Sequence, residues 1–409
     1  MRRIIIAVLV ALAAASPSAG TGQPIMVGAV YPTGGSQGPG GTEEFRGVSL
    51  AAEYANQSGG VQGRPILLRL EPANVWDAAP GAVERLVQDG VRLVVGSYGS
   101  TISRPAAATA SRLGALFWET GAVGDFGMDT AAGTRVFRFA PTGEVLGRAA
   151  VAFVRDELSP HLARTAPLRY SVAYVDDVYG RAVGRGALNE IRESRLPLAA
   201  ALPYDLRRTH YVELARSIAE ARTDVLVVAS YLADAVALRE AVLGARVPLV
   251  ANIGTSSSYC MPAFGQLLGA RAVGLFASDK PDSDALSTSG LSPDAAQALR
   301  WVRAEYRRRY GEAASAAALS GFAGGLGLFQ HVLSRARDLS PEEVARAARD
   351  VHLPVGTLPN GSGLQFAPPG RPDAGANLAA VNVIWEWIGP GTRAVVWPPA
   401  FATHPIVFP

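Results

Sequence analysis

The chain of 409 residues holds one cysteine, Cys260. An internal disulfide is therefore excluded, and the folded state has to rest on its apolar core. Its five histidines, His161, His210, His331, His352 and His404, are dispersed. No two stand at the spacing of a metal-ligand pair, so no metal is expected. There is no phosphate-binding loop ending in Lys-Ser/Thr, and Cys260 has no histidine near it in sequence. Without a nucleophile, base or metal set, a non-enzymatic protein with no cofactor is expected. Charge is also sparse, at 18% of residues with a formal net charge of +3. Arginines interleave with acids, as in Arg300, Arg303, Glu305, Arg307, Arg308 and Arg309, which reads as a solvated helix face and not a nucleic-acid surface.

Long apolar runs are missing too. Residues 4–15 are apolar but too short to cross a bilayer, and no other stretch reads as a span. Behind Met1-Arg2-Arg3 and ahead of the small residues Ser16, Ser18, Ala19 and Gly20, that run has the form of a secretory signal peptide. Residues 1–22 are expected to be removed, leaving a soluble mature protein in the periplasm.

What the chain has in quantity is apolar and small residues, with 49% hydrophobic content and 44 glycines. Its length exceeds what one core holds, so two globular units are expected. Short apolar runs alternate with helical patterns: strands at 25–31, 66–70 and 91–95, with helices at 42–56 and 78–89 between them. The alternation restarts at 170–175, 198–203, 225–229, 248–252 and 272–277. Later come helices at 293–310 and 316–337 and a strand at 380–387. Buried parallel strands wound with helices give an α/β fold of two doubly wound lobes. The stretch 93–124 is the centre of this reading. Its loop supplies Ser97, Ser100 and Thr101 just ahead of a helix N-terminus, at the sheet edge where open α/β folds bind ligands and where an anionic group is favoured.

Six segments, in order, carry a resemblance to a known family: MVGAVYPTGG, FRGVSLAAEYANQSGGVQGRPILL, LVVGSYGSTISRPAAATASRLGALFW, VAYVDDVYGRAVGRGA, GSGLQFAPPGR and VIWEWIGPG. They resemble the type I periplasmic solute-binding proteins of ABC transporters, in the branch of the leucine/isoleucine/valine-binding protein. The resemblance implies two lobes joined by a three-strand hinge. Lobe 1 is expected at 24–141 plus 280–377, and lobe 2 at 142–279 plus 378–409. It further implies a monomer that closes on a small solute and delivers it to the transporter's permease subunits. An extracytoplasmic sensor presenting its solute to a receptor is the alternative.

By the same resemblance, Ser100 holds a ligand carboxylate, Ala122 and Val123 stand where the family meets an α-ammonium, Tyr179 and Tyr231 cover the ligand, and Tyr31 walls the side-chain pocket. Two departures alter the expectation. The segment around Thr255, from Ile253 to Ser258, lacks the acid that pairs with the ammonium, and Val123 replaces a threonine. A buried ammonium without that partner costs several kcal/mol. Glu119, beside Trp118, is expected to face the cleft and to replace the missing charge, unless it serves the scaffold while Trp118 fills the core. The expected solute is amino acid-like or an aromatic or apolar carboxylate, an amide or an amine.

Overall fold

The computed structural model describes residues 22–126, 135–163 and 166–408. The expected signal peptide lies outside them except for Gly22.

Five strands form the first sheet: β1 (Ile25–Tyr31), β2 (Ile66–Pro72), β3 (Leu93–Gly96), β4 (Leu116–Glu119) and β5 (Val136–Arg138). They run parallel in the order β2-β1-β3-β4-β5. The helices among them are α1 (Gly38–Gln57), α2 (Ala79–Gln88) and α3 (Ser100–Arg112). β3 and β4 are buried along their whole length, as strands covered on both faces should be.

The second sheet follows α4 (Gly143–Phe153). It contains β6 (Tyr170–Val175), β7 (Leu198–Tyr204), β8 (Val225–Ala229), β9 (Ala251–Thr255) and β10 (Phe276–Asp279), with α5 (Val178–Glu193), α6 (Tyr211–Glu220), α7 (Leu232–Gly244) and α8 (Pro262–Leu268) between strands. The chain then crosses back through α9 (Pro293–Tyr310), α10 (Ala316–Leu326) and α11 (Pro341–Asp350), of which α9 and α10 pack on α1 and α11 on β4, before returning as β11 (Val383–Gly389) and β12 (Thr392–Trp397). The strand order is β12-β11-β10-β9-β8-β6-β7.

The expected parallel sheets are present, and the second carries two antiparallel strands at one edge. β11 pairs antiparallel with β10, and β12 antiparallel with β11. The sequence reading contains no β12, because the strand opens on the polar Thr392 and Arg393 and leaves only a short apolar run.

Two helix readings also change. α1 begins at Gly38, ahead of the expected start at 42 and inside a glycine-rich stretch. Those glycines serve close packing: a Cβ on Gly40 would stand 2.1 Å from the Tyr98 ring, and one on Gly41 would stand 2.2 Å from the Pro32 carbonyl. Residues Ala316–Arg335 are long and apolar enough to cross a membrane, contrary to the reading of the sequence, yet 89% of their apolar 18-residue window is buried inside the molecule. It is the core helix of the first lobe, packed along α1 and continued by a π turn and a 3-10 turn.

Candidate functional site

The carboxyl ends of β3 and β4 are tied together by Glu119. Its Oε2 accepts the Ser97 N–H (2.8 Å), while Oε1 accepts those of Gly121 (2.9 Å) and Ala122 (2.7 Å). Burial pushes this carboxyl up, and the backbone donors pull it back down. Three backbone donors of lobe 1 thus converge on this fully buried carboxyl. Trp118 points to the other side of the sheet. Its ring packs on Phe137 and Phe366, and its indole N–H donates to the Gly324 carbonyl at 2.9 Å. The structure therefore puts Trp118 in the lobe core and away from the cleft.

A second buried network lies beneath. The Tyr31 hydroxyl is hydrogen-bonded to Thr120 Oγ1 (2.6 Å), which donates to Glu44 Oε1 (2.6 Å). The Glu44 carboxyl is pushed up to about 8, first by burial and then by Glu119, against the pull of Lys280 and Thr120. Tyr31 is fully buried and packs on Phe45.

The two lobes meet at these strand ends. Ser100 Oγ accepts the Gly124 N–H at 2.9 Å, and a Cβ on Gly124 would stand 2.9 Å from Val178 of the second lobe. Val123 enters an apolar cluster of the second lobe with Leu146, Val175 and Tyr179. The Tyr179 hydroxyl contacts Thr255 Oγ1 (2.9 Å) and the Ser256 carbonyl, and its ring lies 5.4 Å from that of Tyr231. Tyr231 donates in turn to Asp177 Oδ2 at 2.6 Å. Of the nine residues expected at the site, Val123, Tyr179, Tyr231 and Thr255 thus come together. Tyr31, Ser100, Glu119 and Ala122 belong to lobe-1 networks, and Trp118 to the core.

Next to these contacts is a cavity of about 260 Å³. Lobe 1 contributes Gly40, Glu43, Tyr98, Ser315, Ala316 and Ala317; lobe 2 contributes Ser256, Ser257, Cys260, Met261, Gln266 and Arg393. Asp279 and Lys280, where the chain leaves β10 for lobe 1, line it between them. None of the nine expected residues is in its wall. The Lys280 ammonium donates to the Gly121 carbonyl at 2.8 Å, joining the crossing to the β4 loop. Arg393 pairs with Asp282 and lies over the Trp385 ring at 4.4 Å. Burial, followed by Asp279, pushes the Cys260 thiol up, so it sits there as a neutral group.

One feature of the sequence pointed to this cavity. Lys280 is the only lysine in the chain, and it follows Asp279 directly at the end of an apolar strand. A charged pair at the carboxyl end of a buried strand is out of place unless it is paired or functional.

The family model described as periplasmic binding protein matches residues 24–383. The chain belongs to that family. It has the type I fold. It is 26% identical over 408 residues to Leu/Ile/Val-binding protein homolog 7 of Brucella abortus (strain 2308), an alignment covering 98% of this chain and 99% of that one. The leucine binding protein LivK of Thermotoga maritima superposes with a TM-score of 0.74 at 15% identity, covering 91% of this chain and 97% of that one. A solute binding protein of an ABC transporter from R. palustris, in complex with benzoate, gives 0.72 at 14%, covering 94% and 98%. At those identities the two structures speak for the fold alone.

Proposed function

We propose that this periplasmic binding protein captures a small solute between its lobes, outside the cytoplasm, and hands it to the permease of an ABC transporter. The observation that carries the reading is the cavity of about 260 Å³ walled by both lobes and by the chain crossing at Asp279 and Lys280. A solute touching all three walls holds the lobes together, so binding energy becomes a shape that a membrane partner can recognise. The relatives support a wide solute range, since one is a leucine binding protein and another is a complex with benzoate. The solute is read as amino acid-like, an aromatic or apolar carboxylate, an amide or an amine. Residues 1–22 direct export and are then removed, and a monomer hinges freely.

A thermal-shift screen of the mature protein, stripped of carried-over solute by partial unfolding, tests the reading. A solute at 100 times its dissociation constant stabilises by about 2.7 kcal/mol, a clear displacement of the midpoint. No displacement by any amino acid, organic acid, amide or amine would refute it.

A further inference from the structure

The helix-to-strand turns of the two lobes are built alike and filled differently. In the first lobe α1, α2 and α3 are each followed by a left-handed glycine, Gly59, Gly90 and Gly114 (φ 92°, 84° and 73°). The next N–H donates back to a helix carbonyl: Gly60 to Ala55, Val91 to Leu86 and Ala115 to Ala110. In the second lobe α5, α6 and α7 close in the same way, with Leu196 donating to Ile191, Thr223 to Ile218 and Val247 to Val242. There the left-handed residues are Arg195, Arg222 and Arg246 (φ 54°, 52° and 50°). A Cβ on any of the three glycines would meet nothing within 4 Å, so glycine relieves the backbone angle and not a clash. Each arginine holds that angle at a cost glycine would not carry. The helix dipole does not ask for this position: α2, α3 and α5 carry Arg85, Arg112 and Arg192 in their last turns, where the backbone is helical.

The three arginines share one surface. β6 to β9 run parallel in the order β9-β8-β6-β7, so their amino ends form one edge, opposite the strand ends that meet the cavity. Arg246 precedes β9, Arg222 β8, Arg169 β6 and Arg195 β7, a row about 14 Å long at the ordinary strand spacing. Arg195, Arg222 and Arg246 are exposed, and none makes an ion pair or a side-chain hydrogen bond among the described residues. Of the acids close to them in the chain, Glu193 is held by Arg148, Glu240 by Arg271, and Asp224 by the Arg169 N–H at 2.9 Å, which leaves Glu220 against them. Three apolar side chains stand on the same edge in water: Leu198 before the body of β7, Leu243 in the last turn of α7 and Val273 ahead of β10, at 50%, 37% and 41% exposed.

We propose that this edge of the second lobe docks on an anionic phospholipid surface. The guanidinium groups pair with headgroup phosphates through parallel N–H bonds, and the exposed leucines and valine enter the headgroup boundary beside them. Separate arginines in a row match phosphates spread over a plane, not one small anion, and the apolar residues among them match lipid, not an acidic polypeptide. The inference goes beyond solute capture, and its failure leaves the cleft reading standing.

Cosedimentation of the mature protein with vesicles at low ionic strength tests this, with phosphatidylcholine plus phosphatidylglycerol against phosphatidylcholine alone. Each arginine near an anionic surface is worth about fivefold in partition, so the three together are worth about a hundredfold. The triple variant Arg195→Gly, Arg222→Gly, Arg246→Gly puts glycine where the backbone favours it. It is expected to unfold in urea no earlier than the parent, and to lose about a hundredfold of its partition to the anionic vesicles. Lysine at all three positions keeps the charge and is expected to keep the partition, and added salt is expected to weaken it. Equal partition to the two vesicle types, or partition unmoved in the glycine variant, overturns the proposal. Binding to polyglutamate or inorganic phosphate with none to anionic vesicles overturns it too, and assigns the arginines to an acidic protein or a small anion. A glycine variant less stable than the parent, with no vesicle binding by either, assigns them to the turns alone.

Discussion

Lys280 is a built-in reporter of lobe opening. It is the only lysine in the chain, so every adduct on a lysine ε-amine falls at one known position. With the lobes together it is 3% exposed, and its ammonium is held at 2.8 Å by the Gly121 carbonyl. An amine-reactive reagent reaches it after the cavity opens, so the labelling rate follows the open population. A solute at 100 times its dissociation constant stabilises the closed state by about 2.7 kcal/mol, which cuts that population and the rate about a hundredfold. The assay is a timed pulse of acetic anhydride at fixed pH, with and without a solute that displaces the thermal midpoint, followed by peptide mass spectrometry. Modification at residue 280 is expected to be slow in the free protein relative to the urea-unfolded chain, and about a hundredfold slower again with solute. A labelling rate equal to that of the unfolded chain would show that Lys280 is not enclosed. A rate unmoved by a stabilising solute would show that closure over this cavity is not what binding brings about. Either result refutes the hinge argument.

Other residues give separate tests. Glu119→Gln puts an amide where the carboxylate accepts three backbone N–H groups, and is expected to cost about 1–3 kcal/mol in urea unfolding while calorimetry gives solute affinity within about twofold; a large affinity loss at unchanged stability would return Glu119 to the ligand. Trp118→Phe removes the bond to Gly324 and part of a buried ring, and should cost about 1–3 kcal/mol in the same unfolding assay, again without change in affinity. The Glu44 carboxyl, raised from 4.5 in the ordinary state to about 8 when folded, keeps its proton in the native state across that window while the unfolded chain loses it. Its contribution to stability is full below about 4.5 and is lost as pH rises toward 8. Thermal midpoints measured between pH 4.5 and 8 should therefore fall more steeply for the parent than for Glu44→Gln, and parallel slopes would contradict the shift.

The lobes were readable because buried parallel strands are written as uninterrupted apolar runs. LVVG and VLVVA each stand fully buried in the sheet where their periodicity puts them. β12 was not readable for the converse reason: an edge strand beginning Thr392-Arg393 satisfies its apolar face only after β11 and the Trp385 ring are beside it. The expected site residues lie at strand ends, as the pattern demands. A strand end, however, does not state which way a side chain turns. Trp118 and Glu119 are neighbours on opposite sides of β4. One enters the core, and the other closes the backbone loops that shape the cleft from behind.

Apart from the Asp279-Lys280 signal, the cavity's wall lay beyond sequence reasoning on a physical ground. Tyr98, Ser257, Asp279 and Arg393 span 295 positions in the chain (393 minus 98) and come from different loops and strands. No spacing rule joins them, because their proximity is produced by the chain crossings between sheets, and Arg393 gains its partner Asp282 across 111 residues. The absence of an acid around Thr255 was visible in the sequence, whereas the presence of one at Asp279 became meaningful only with the fold. The two observations belong together. The acid is missing from the β9 loop, and a carboxylate with an open oxygen lies one strand over, at the end of β10. On the solute-binding reading proposed above, polar recognition moves along the cleft toward the crossing, where Lys280 is also anchored. A solute gripped there pulls directly on the segment that joins the lobes, so recognition and closure become one event.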